Sequence, residues 1–140
     1  MTGRVAPINA MTARLVMAAR RARRSAYAPF SQFRVGASVL DERGRIHIGC
    51  NVENASYGLT ICAERNAVAA ALVAGARRIV AVVVITQASP PASPCGACRQ
   101  VLAEFAGDDT PIVLAGTSGK KAEQTTLGDL LPRAFRLRRR

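Results

Sequence analysis

The feature that most constrains the fold is an apolar segment, Ile79 to Thr86, with the sequence IVAVVVIT. β-branched residues favour extended backbone, and a run without alternating polar residues is typical of a strand covered on both faces. Two segments with helical character surround it: Cys62 to Ala74, which ends at Gly75, and Cys95 to Ala106, which ends at Gly107. This order predicts an α/β protein, a three-layer α/β/α arrangement around a central mixed β-sheet.

The rest of the chain supplies further elements in the order α-β-β-α-β-α-β, without internal repeats. We therefore expect one domain, residues 1–140, with a basic tail from about residue 136. The remaining predicted elements are a helix from its N-cap Asn9 to about Arg24, a hairpin of Phe33 to Leu40 and Arg45 to Val52 around the turn Asp41-Glu42-Arg43-Gly44, a strand from Ile112 to Ala115, and a helix from Leu127 to Leu131 capped by Thr126.

The formal net charge of the 140 residues is +11, and arginine supplies almost all of it. Such a balance can indicate a nucleic-acid partner. Much of the charge lies in two local runs. This favours a general richness in arginine over a binding surface, so we expect no nucleic-acid partner. The two runs are Arg20, Arg21, Arg23 and Arg24, and Arg136, Arg138, Arg139 and Arg140.

The four cysteines are expected to be reduced. The N-terminus lacks a continuous apolar stretch of the signal-peptide type, and no segment approaches the roughly 20 apolar residues of a membrane span. We therefore expect a cytoplasmic protein without a membrane partner, in which clustered cysteines more often bind metal than form disulfides.

Three of the cysteines have the spacing of a zinc site. Cys95 and Cys98 are three residues apart at the start of a predicted helix, so one helical turn places both sulfurs on one face. Cys62 begins a second helix and supplies a third ligand. Three ligands leave one position for water, as in catalytic zinc sites, and predict one Zn²⁺ per chain.

Charged residues beside these ligands suggest the chemistry. Glu64 lies two residues after Cys62, so its carboxylate can reach a metal-bound water and move its proton without binding the metal. Three thiolates give the site net negative charge, which opposes formation of hydroxide. Arg65 and Arg99 are the predicted charge compensation.

Other interpretations of the cysteines stay open at this point. Cys95 and Cys98 alone also fit a structural zinc site or a redox pair. Cys50 could close a four-thiolate site, although a buried free cysteine is common as a small apolar residue. The only histidine, His47, lies in the hairpin and is expected to be a surface residue.

The chain resembles the small homotetrameric zinc-dependent cytidine deaminases from about Ala26 to Phe135. The matching stretches are Tyr27 to Ala37 (YAPFSQFRVGA), Gly49 to Tyr57 (GCNVENASY), Cys62 to Arg65 (CAER), Ser93 to Gln100 (SPCGACRQ), and Leu130 to Pro132 with Phe135. The two cysteine motifs are shared by many deaminases. The Asn51-Val52-Glu53 element is more discriminating.

The resemblance implies specific contacts with a nucleoside. Asn51 and Glu53 bind the ribose hydroxyls, the Phe33 ring stacks on the pyrimidine, and the backbone at Ala63 meets the pyrimidine edge. Tyr57 and Phe135 reach the cavity of a neighbouring subunit in a homotetramer with shared active sites. For Phe33, ordinary core packing is the alternative.

The resemblance also implies a reaction. A zinc-bound hydroxide attacks C4 of cytidine or deoxycytidine, and Glu64 carries protons to N3 and to the departing amine. Ammonia leaves and uridine or deoxyuridine forms, a step of pyrimidine salvage. Phe30 replaces the Tyr that is commoner in the family, and the C-terminal tail is more basic than usual.

Three other functions remain open from the sequence. Deamination of a polynucleotide base is favoured slightly by the net charge, but those enzymes usually have His in place of Cys62. Deamination of a cytosine-nucleoside antibiotic would use the same zinc motifs. A non-enzymatic, zinc-stapled binding module would make no use of Glu64.

Overall fold

The computed structural model describes the backbone of residues 4–5 and the whole of residues 9–139. Six strands form one sheet in the order β1-β6-β5-β4-β2-β3. The strands are β1 (Arg4–Val5), β2 (Gly36–Asp41), β3 (Ile46–Cys50), β4 (Ile79–Ile85), β5 (Pro111–Ala115) and β6 (Ala122–Thr126). The helices are α1 (Ala10–Arg23), α2 (Ala63–Val73), α3 (Gly96–Phe105) and α4 (Leu127–Leu130), with a single 3₁₀ turn at Tyr57–Leu59.

The predicted three-layer arrangement is confirmed. Strands β4 and β5 are parallel and the other pairings are antiparallel, so the sheet is mixed. Helix α1 packs with Leu15, Val16 and Ala19 on one face of the sheet. Helices α2, α3 and α4 cover the other face. The two hydrophobic clusters are separated by the sheet itself.

Strand β4 lies at the centre and is buried on both faces, as its sequence predicts. Val82 and Val84 belong to the cluster under α2 and α3, whereas Val83 and Ile85 belong to the cluster under α1. Alternate side chains of a strand point to opposite faces, so each face receives a branched apolar residue. Only Val80, near the start of the strand, is exposed among its valines.

The predicted caps are confirmed, and the boundaries move by a few residues. The Asn9 side chain accepts a hydrogen bond from the Thr12 amide at 2.8 Å, and the Thr126 hydroxyl accepts one from the Asp129 amide at 3.2 Å. Gly75 ends α2 with a φ of 99°, a conformation that glycine adopts without strain. The turn residue Asp41 is the last residue of β2.

Strand β6 is not among the elements that the sequence predicts. Its sequence, AEQTT, has little apolar character, yet it pairs antiparallel with β5 on one side and with β1 on the other. Ala122 and Thr125 are buried, and the other three residues are half-buried or exposed. The strand therefore depends on its partners, which the local sequence does not reveal.

Two glycines allow the helices to approach the sheet closely. A Cβ atom at Gly49 in β3 would lie 2.5 Å from the carbonyl oxygen of Ala63 in α2. A Cβ atom at Gly36 in β2 would overlap the carbonyl oxygen of Ala19 in α1. Helix backbone thus lies directly against sheet backbone at these positions, one on each face.

Several arginines of the two basic runs are used inside the fold. The Arg136 guanidinium donates to the carbonyl oxygens of Ala103 and Ala106 and pairs with Asp108 at 3.0 Å. It therefore stabilises the C-terminal end of α3, where a positive charge is favourable. The basic tail packs on the domain through this contact. No helix of the described residues is long and apolar enough to cross a membrane.

Candidate active site

The first turns of α2 and α3 bring three cysteines together. Cys62 and Cys95 are the N-cap residues of the two helices, and Cys98 lies in the first turn of α3. Their sulfur atoms all lie within 4.8 Å of one another, and the Sγ atoms of Cys62 and Cys95 are 3.8 Å apart. Three thiols at two positively polarised helix ends fit a Zn²⁺ ion, which prefers such soft ligands.

Cys50 and His47 lie outside this cluster. The cluster of possible metal ligands found among residues 9–139 contains only the three cysteines named above. His47 is not the surface residue expected, because its Nε2 atom lies 2.8 Å from the buried Asp41 carboxylate. Asp41 also accepts hydrogen bonds from the amides of Arg43 and Arg45. These contacts fix the hairpin turn.

The two predicted charge-compensating arginines differ in their surroundings. The Arg65 guanidinium lies 3.6 Å from the Cys62 sulfur and 3.4 Å from the Thr60 carbonyl oxygen. The Arg99 guanidinium instead donates to the carbonyl oxygens of Pro94 and Leu130 and to the Ser93 hydroxyl. Arg65 therefore contacts a thiol directly, whereas Arg99 holds the loop before α3 against the end of α4.

The thiols of Cys62 and Cys98 differ in how readily they lose a proton. A hydrogen bond with Cys98, assisted by the Arg65 guanidinium, lowers the pKa of Cys62 to about 5. The same contact with Cys62, together with burial, raises the pKa of Cys98 above its usual value. One thiolate therefore forms readily, and its charge is stabilised by the adjacent arginine.

Glu64 lies next to the cluster in the first turn of α2 and is only 4% exposed. Burial raises the pKa of its carboxyl group to about 7, and the nearby charge of Cys62 acts in the same direction. A carboxyl group with this pKa can both accept and donate a proton near neutral pH.

A cavity of about 270 Å³ opens beside the three cysteines and Glu64. It brings together most of the residues that the sequence singled out. Its walls are formed by Ser31, Phe33, Val35, Asn51, Glu53, Thr60, Cys62, Ala63, Glu64, Val84, Thr86, Ala92, Ser93 and Cys95. Apolar walls with a few convergent polar groups are typical of small-molecule sites.

The Asn51 side chain has a structural contact that the sequence did not reveal. Its Oδ1 atom accepts from the Val35 amide and its Nδ2 atom donates to the Phe33 carbonyl oxygen, both at 2.8 Å. The amide therefore holds the segment that carries the Phe33 ring on the cavity wall. One N–H and one lone pair of the Asn51 side chain remain for a ligand.

Ser31 is a residue of the site that the sequence analysis missed. Its hydroxyl donates to Glu53 Oε2, and the amides of Phe30 and Ser31 donate to Glu53 Oε1 at 2.9 and 3.2 Å. The Ser31 hydroxyl is the main cause that lowers the pKa of Glu53. Ser31 stands in the matching stretch from Tyr27 to Ala37, but nothing in the local pattern distinguishes it from a turn residue.

Tyr57 and Phe135 are not brought to the cavity of their own chain. Tyr57 is 74% exposed and lines an adjoining cavity of about 350 Å³ with Phe30 and Thr60. Phe135 is 70% exposed, and its carbonyl oxygen accepts from the Gln100 side chain. Both aromatic rings face solvent in the isolated chain.

Comparisons with known proteins agree on one family. Residues 10–115 match the family model described as the cytidine and deoxycytidylate deaminase zinc-binding region. A cytidine deaminase from Sporosarcina psychrophila is 46% identical over 122 residues, 87% of this chain and 89% of the relative. A cytidine deaminase from Mycobacterium tuberculosis is 44% identical over 119 residues, 85% of each chain.

Solved structures give the same result. A crystal structure of cytidine deaminase from Burkholderia pseudomallei superposes with a TM-score of 0.83 at 47% identity, covering 88% of this chain and 98% of the other. A cytidine deaminase from Mycobacterium tuberculosis gives a TM-score of 0.75 at 42% identity, covering 89% and 97%.

The cysteine cluster predicts a selective loss of metal. Replacing Cys95, which is exposed and contributes little to packing, with Ala removes one of the three candidate ligands. We expect zinc affinity to fall by more than about 100-fold, since changing only a partner of a ligand costs up to that much. Competition with a chromophoric chelator measures the affinity. Cys50→Ala is the matched control, and a similar loss there would contradict the assignment.

Proposed function

The chain belongs to the cytidine deaminase family and catalyses the hydrolytic deamination of cytidine, and we propose which of its residues perform each part of this reaction. The observation that carries the proposal is the position of Glu64, a buried carboxyl group between a three-thiol metal centre and a cavity. Deoxycytidine is a second proposed substrate.

Cys62, Cys95 and Cys98 are the proposed ligands of the zinc ion. Bound zinc supplies Lewis acidity, which makes water a stronger acid and a better nucleophile near neutral pH. The Arg65 guanidinium, 3.6 Å from the Cys62 sulfur, offsets part of the negative charge of three thiolates. Arg99, next to Cys98 in sequence, adds positive charge, while its hydrogen bonds are directed to carbonyl oxygens and to the Ser93 hydroxyl.

Glu64 is the proposed proton carrier. It takes a proton from the attacking water and delivers it to N3 of the cytosine ring. Glu64 then takes the second proton of that water, now on the hydroxyl group at C4, and delivers it to the amine at C4. The amine leaves as ammonia. Water and cytidine are thereby converted to uridine and ammonia. A pKa of about 7 suits a group that must gain and lose a proton in one turnover.

The cavity walls suggest how the nucleoside is held. Phe33 supports the pyrimidine face, and the backbone at Ala63 contacts the pyrimidine edge. Asn51 has one N–H and one lone pair left for the ribose, and the ionised Glu53 accepts from ribose hydroxyl groups. Ser31 is a positioning residue, because it orients the Glu53 carboxylate.

We propose that the whole chain, residues 1–140, is one domain that assembles into a homotetramer with shared active sites. Support comes from large apolar side chains exposed around the cavity mouth and the C-terminal segment. They are Phe30, Val52, Tyr57, Leu59, Ile61, Phe135 and Leu137. Surfaces of this kind usually mark contacts between proteins. Tyr57 and Phe135 would then complete the cavity of a neighbouring subunit.

A cytoplasmic role in pyrimidine salvage fits these residues. Thiol ligands must stay reduced to bind zinc, and the cytosol keeps thiols reduced. All four cysteines are free in the structure. The product of the reaction is a free uracil nucleoside, and reuse of free nucleosides is what salvage means.

Glu64→Gln tests the proton carrier. The amide has nearly the same shape but cannot accept and return a proton, so kcat for cytidine should fall by at least about 10³-fold. Loss of absorbance as cytidine is consumed measures the rate, and zinc content should stay near one per chain. Glu104→Gln, at an exposed position of α3, is the control. A Glu64→Gln enzyme with more than a tenth of the normal kcat would refute the role.

Ser31→Ala tests the positioning of Glu53. Losing one hydrogen bond to a charged group should raise KM for cytidine about 10-fold, while kcat changes little. The pKa of Glu53 should rise, so the increase of KM at acidic pH should begin at a higher pH than in the unchanged enzyme. Steady-state kinetics over a pH series measures both effects.

A matched substrate and a matched variant complete the Ser31 test. With 2′,3′-dideoxycytidine, which lacks the ribose diol, Ser31→Ala should carry almost no penalty. Ser31→Thr, which keeps the hydroxyl, should restore KM for cytidine. An equal penalty on both substrates would show that Ser31 supports the fold and not the ribose contact.

Phe135→Ala tests the shared active site. The side chain is exposed in a single chain, so its removal should leave the unfolding temperature of that chain nearly unchanged. If it enters a neighbouring subunit, kcat/KM for cytidine should fall at least 10-fold. Sedimentation of the unchanged protein should give a tetramer. A monomer with full activity would overturn the proposed assembly.

A further inference from the structure

Helix α1 and its C-cap residue, Arg24, present three arginines on one exposed side. Arg14, Arg21 and Arg24 follow a spacing of seven and three residues, which keeps them on neighbouring faces of a helix. At 1.5 Å per residue, they span about 15 Å along the helix axis. Within residues 9–139, no hydrogen bond or ion pair engages their side chains. We call these three residues the arginine stripe.

The arginine stripe borders a shallow cavity of about 770 Å³ between α1 and the edge strand β3. Its other lining residues are Met17, Ala18 and Arg20 of α1 and Ile46 and Ile48 of β3. Among the residues that the structure describes, neither an acidic nor an aromatic side chain lines this cavity. The described lining is therefore strongly positive and holds no counter-charge.

The neighbouring arginines of α1 show the contrast. Arg20 donates to the carbonyl oxygens of Gly116 and Gly119, and Arg23 donates to the Arg34 carbonyl oxygen and the Gln87 side chain. These two hold the helix to nearby loops. The arginine stripe performs no such role in the described part of the chain.

Two other occupants of this face fit poorly. A second copy of the chain, joined by a two-fold axis, would place the same positive residues opposite one another, which is unfavourable. A membrane-bound helix buries its apolar face in lipid, but the apolar face of α1, with Leu15 and Val16, is packed on the sheet. A separate polyanion matches the charge of this face better than either of these occupants.

Contrary to the expectation from the sequence, we propose that the arginine stripe binds the phosphate backbone of a nucleic acid strand without sequence preference, because the structure places its three arginines beside one cavity. Guanidinium groups bind phosphate in a forked geometry, and several in a row match successive phosphates of an extended polyanion. The described lining offers no aromatic ring for base stacking. Phosphate contacts without base contacts give affinity without sequence specificity.

The arginine stripe is separate from the reaction site. Helix α1 covers one face of the sheet, whereas α2 and α3, which carry the cysteine cluster, cover the other. A strand bound to α1 leaves the cavity beside Glu64 open. The strand is thus a ligand of the protein and not its substrate, and this inference does not depend on the proposed roles of the catalytic residues.

Salt dependence of binding tests the site. Fluorescence anisotropy follows a labelled oligothymidylate of about 20 nucleotides, and log affinity is plotted against log salt concentration. Each phosphate contact with a single strand contributes roughly 0.7 to the slope, so Arg14→Gln/Arg21→Gln/Arg24→Gln should reduce its magnitude by about 2. Affinity at low salt should fall at least 10-fold. Glutamine keeps the helix propensity of arginine nearly unchanged.

A second triple variant separates the site from general charge. Arg43→Gln/Arg78→Gln/Arg138→Gln removes the same charge from exposed positions elsewhere and should keep the slope of the unchanged protein. Both variants should deaminate cytidine normally, which shows that they are folded. Equal losses in the two variants would overturn the inference, as would an unchanged slope in the first. Displacement of the strand by inorganic tripolyphosphate at equal phosphate concentration would also overturn it.

Discussion

The geometry of this protein depends on the direct contact between helix backbone and sheet backbone at Gly49. With no Cβ at this position, the first turn of α2 lies against β3, so the Ala63 carbonyl oxygen occupies the space of a side chain. Cys62 and Glu64 flank Ala63, and their positions are therefore set by the sheet and not by a flexible loop. Gly36 performs the corresponding role for α1 on the other face. Any larger residue at Gly49 would displace Cys62 and Glu64 together.

Much of the fold could be predicted because local sequence and tertiary structure agree. The branched run of β4 is buried on both faces, and Asn9 and Thr126 cap their helices as expected. Strand β6 could not be predicted, because its polar residues adopt extended structure only between β5 and β1. His47 likewise pairs with Asp41 only because the hairpin places them side by side.

The candidate site, like the fold, has features that the local sequence predicts and features that it does not. The spacing of Cys95 and Cys98 and that of Cys62 and Glu64 are local features, so the sequence alone indicates a zinc-dependent reaction. The contact of Ser31 with Glu53 joins residues 22 apart in sequence, and no periodicity reveals it. The roles proposed for Glu64, Phe33 and the ribose-binding pair remain predictions for experiment.

The net charge of +11 has no evident part in the reaction. Cytidine carries no net charge near neutral pH, so a positive field cannot steer it to the cavity as it would an anionic substrate. Part of the charge is used internally, since Arg20, Arg23 and Arg136 bind carbonyl oxygens that helix ends and loops leave unpaired. The remaining charge raises the electrostatic cost of the folded state unless an anion offsets it. The arginine stripe, which has no partner among the described residues, lies where such an anion can bind without covering the active site.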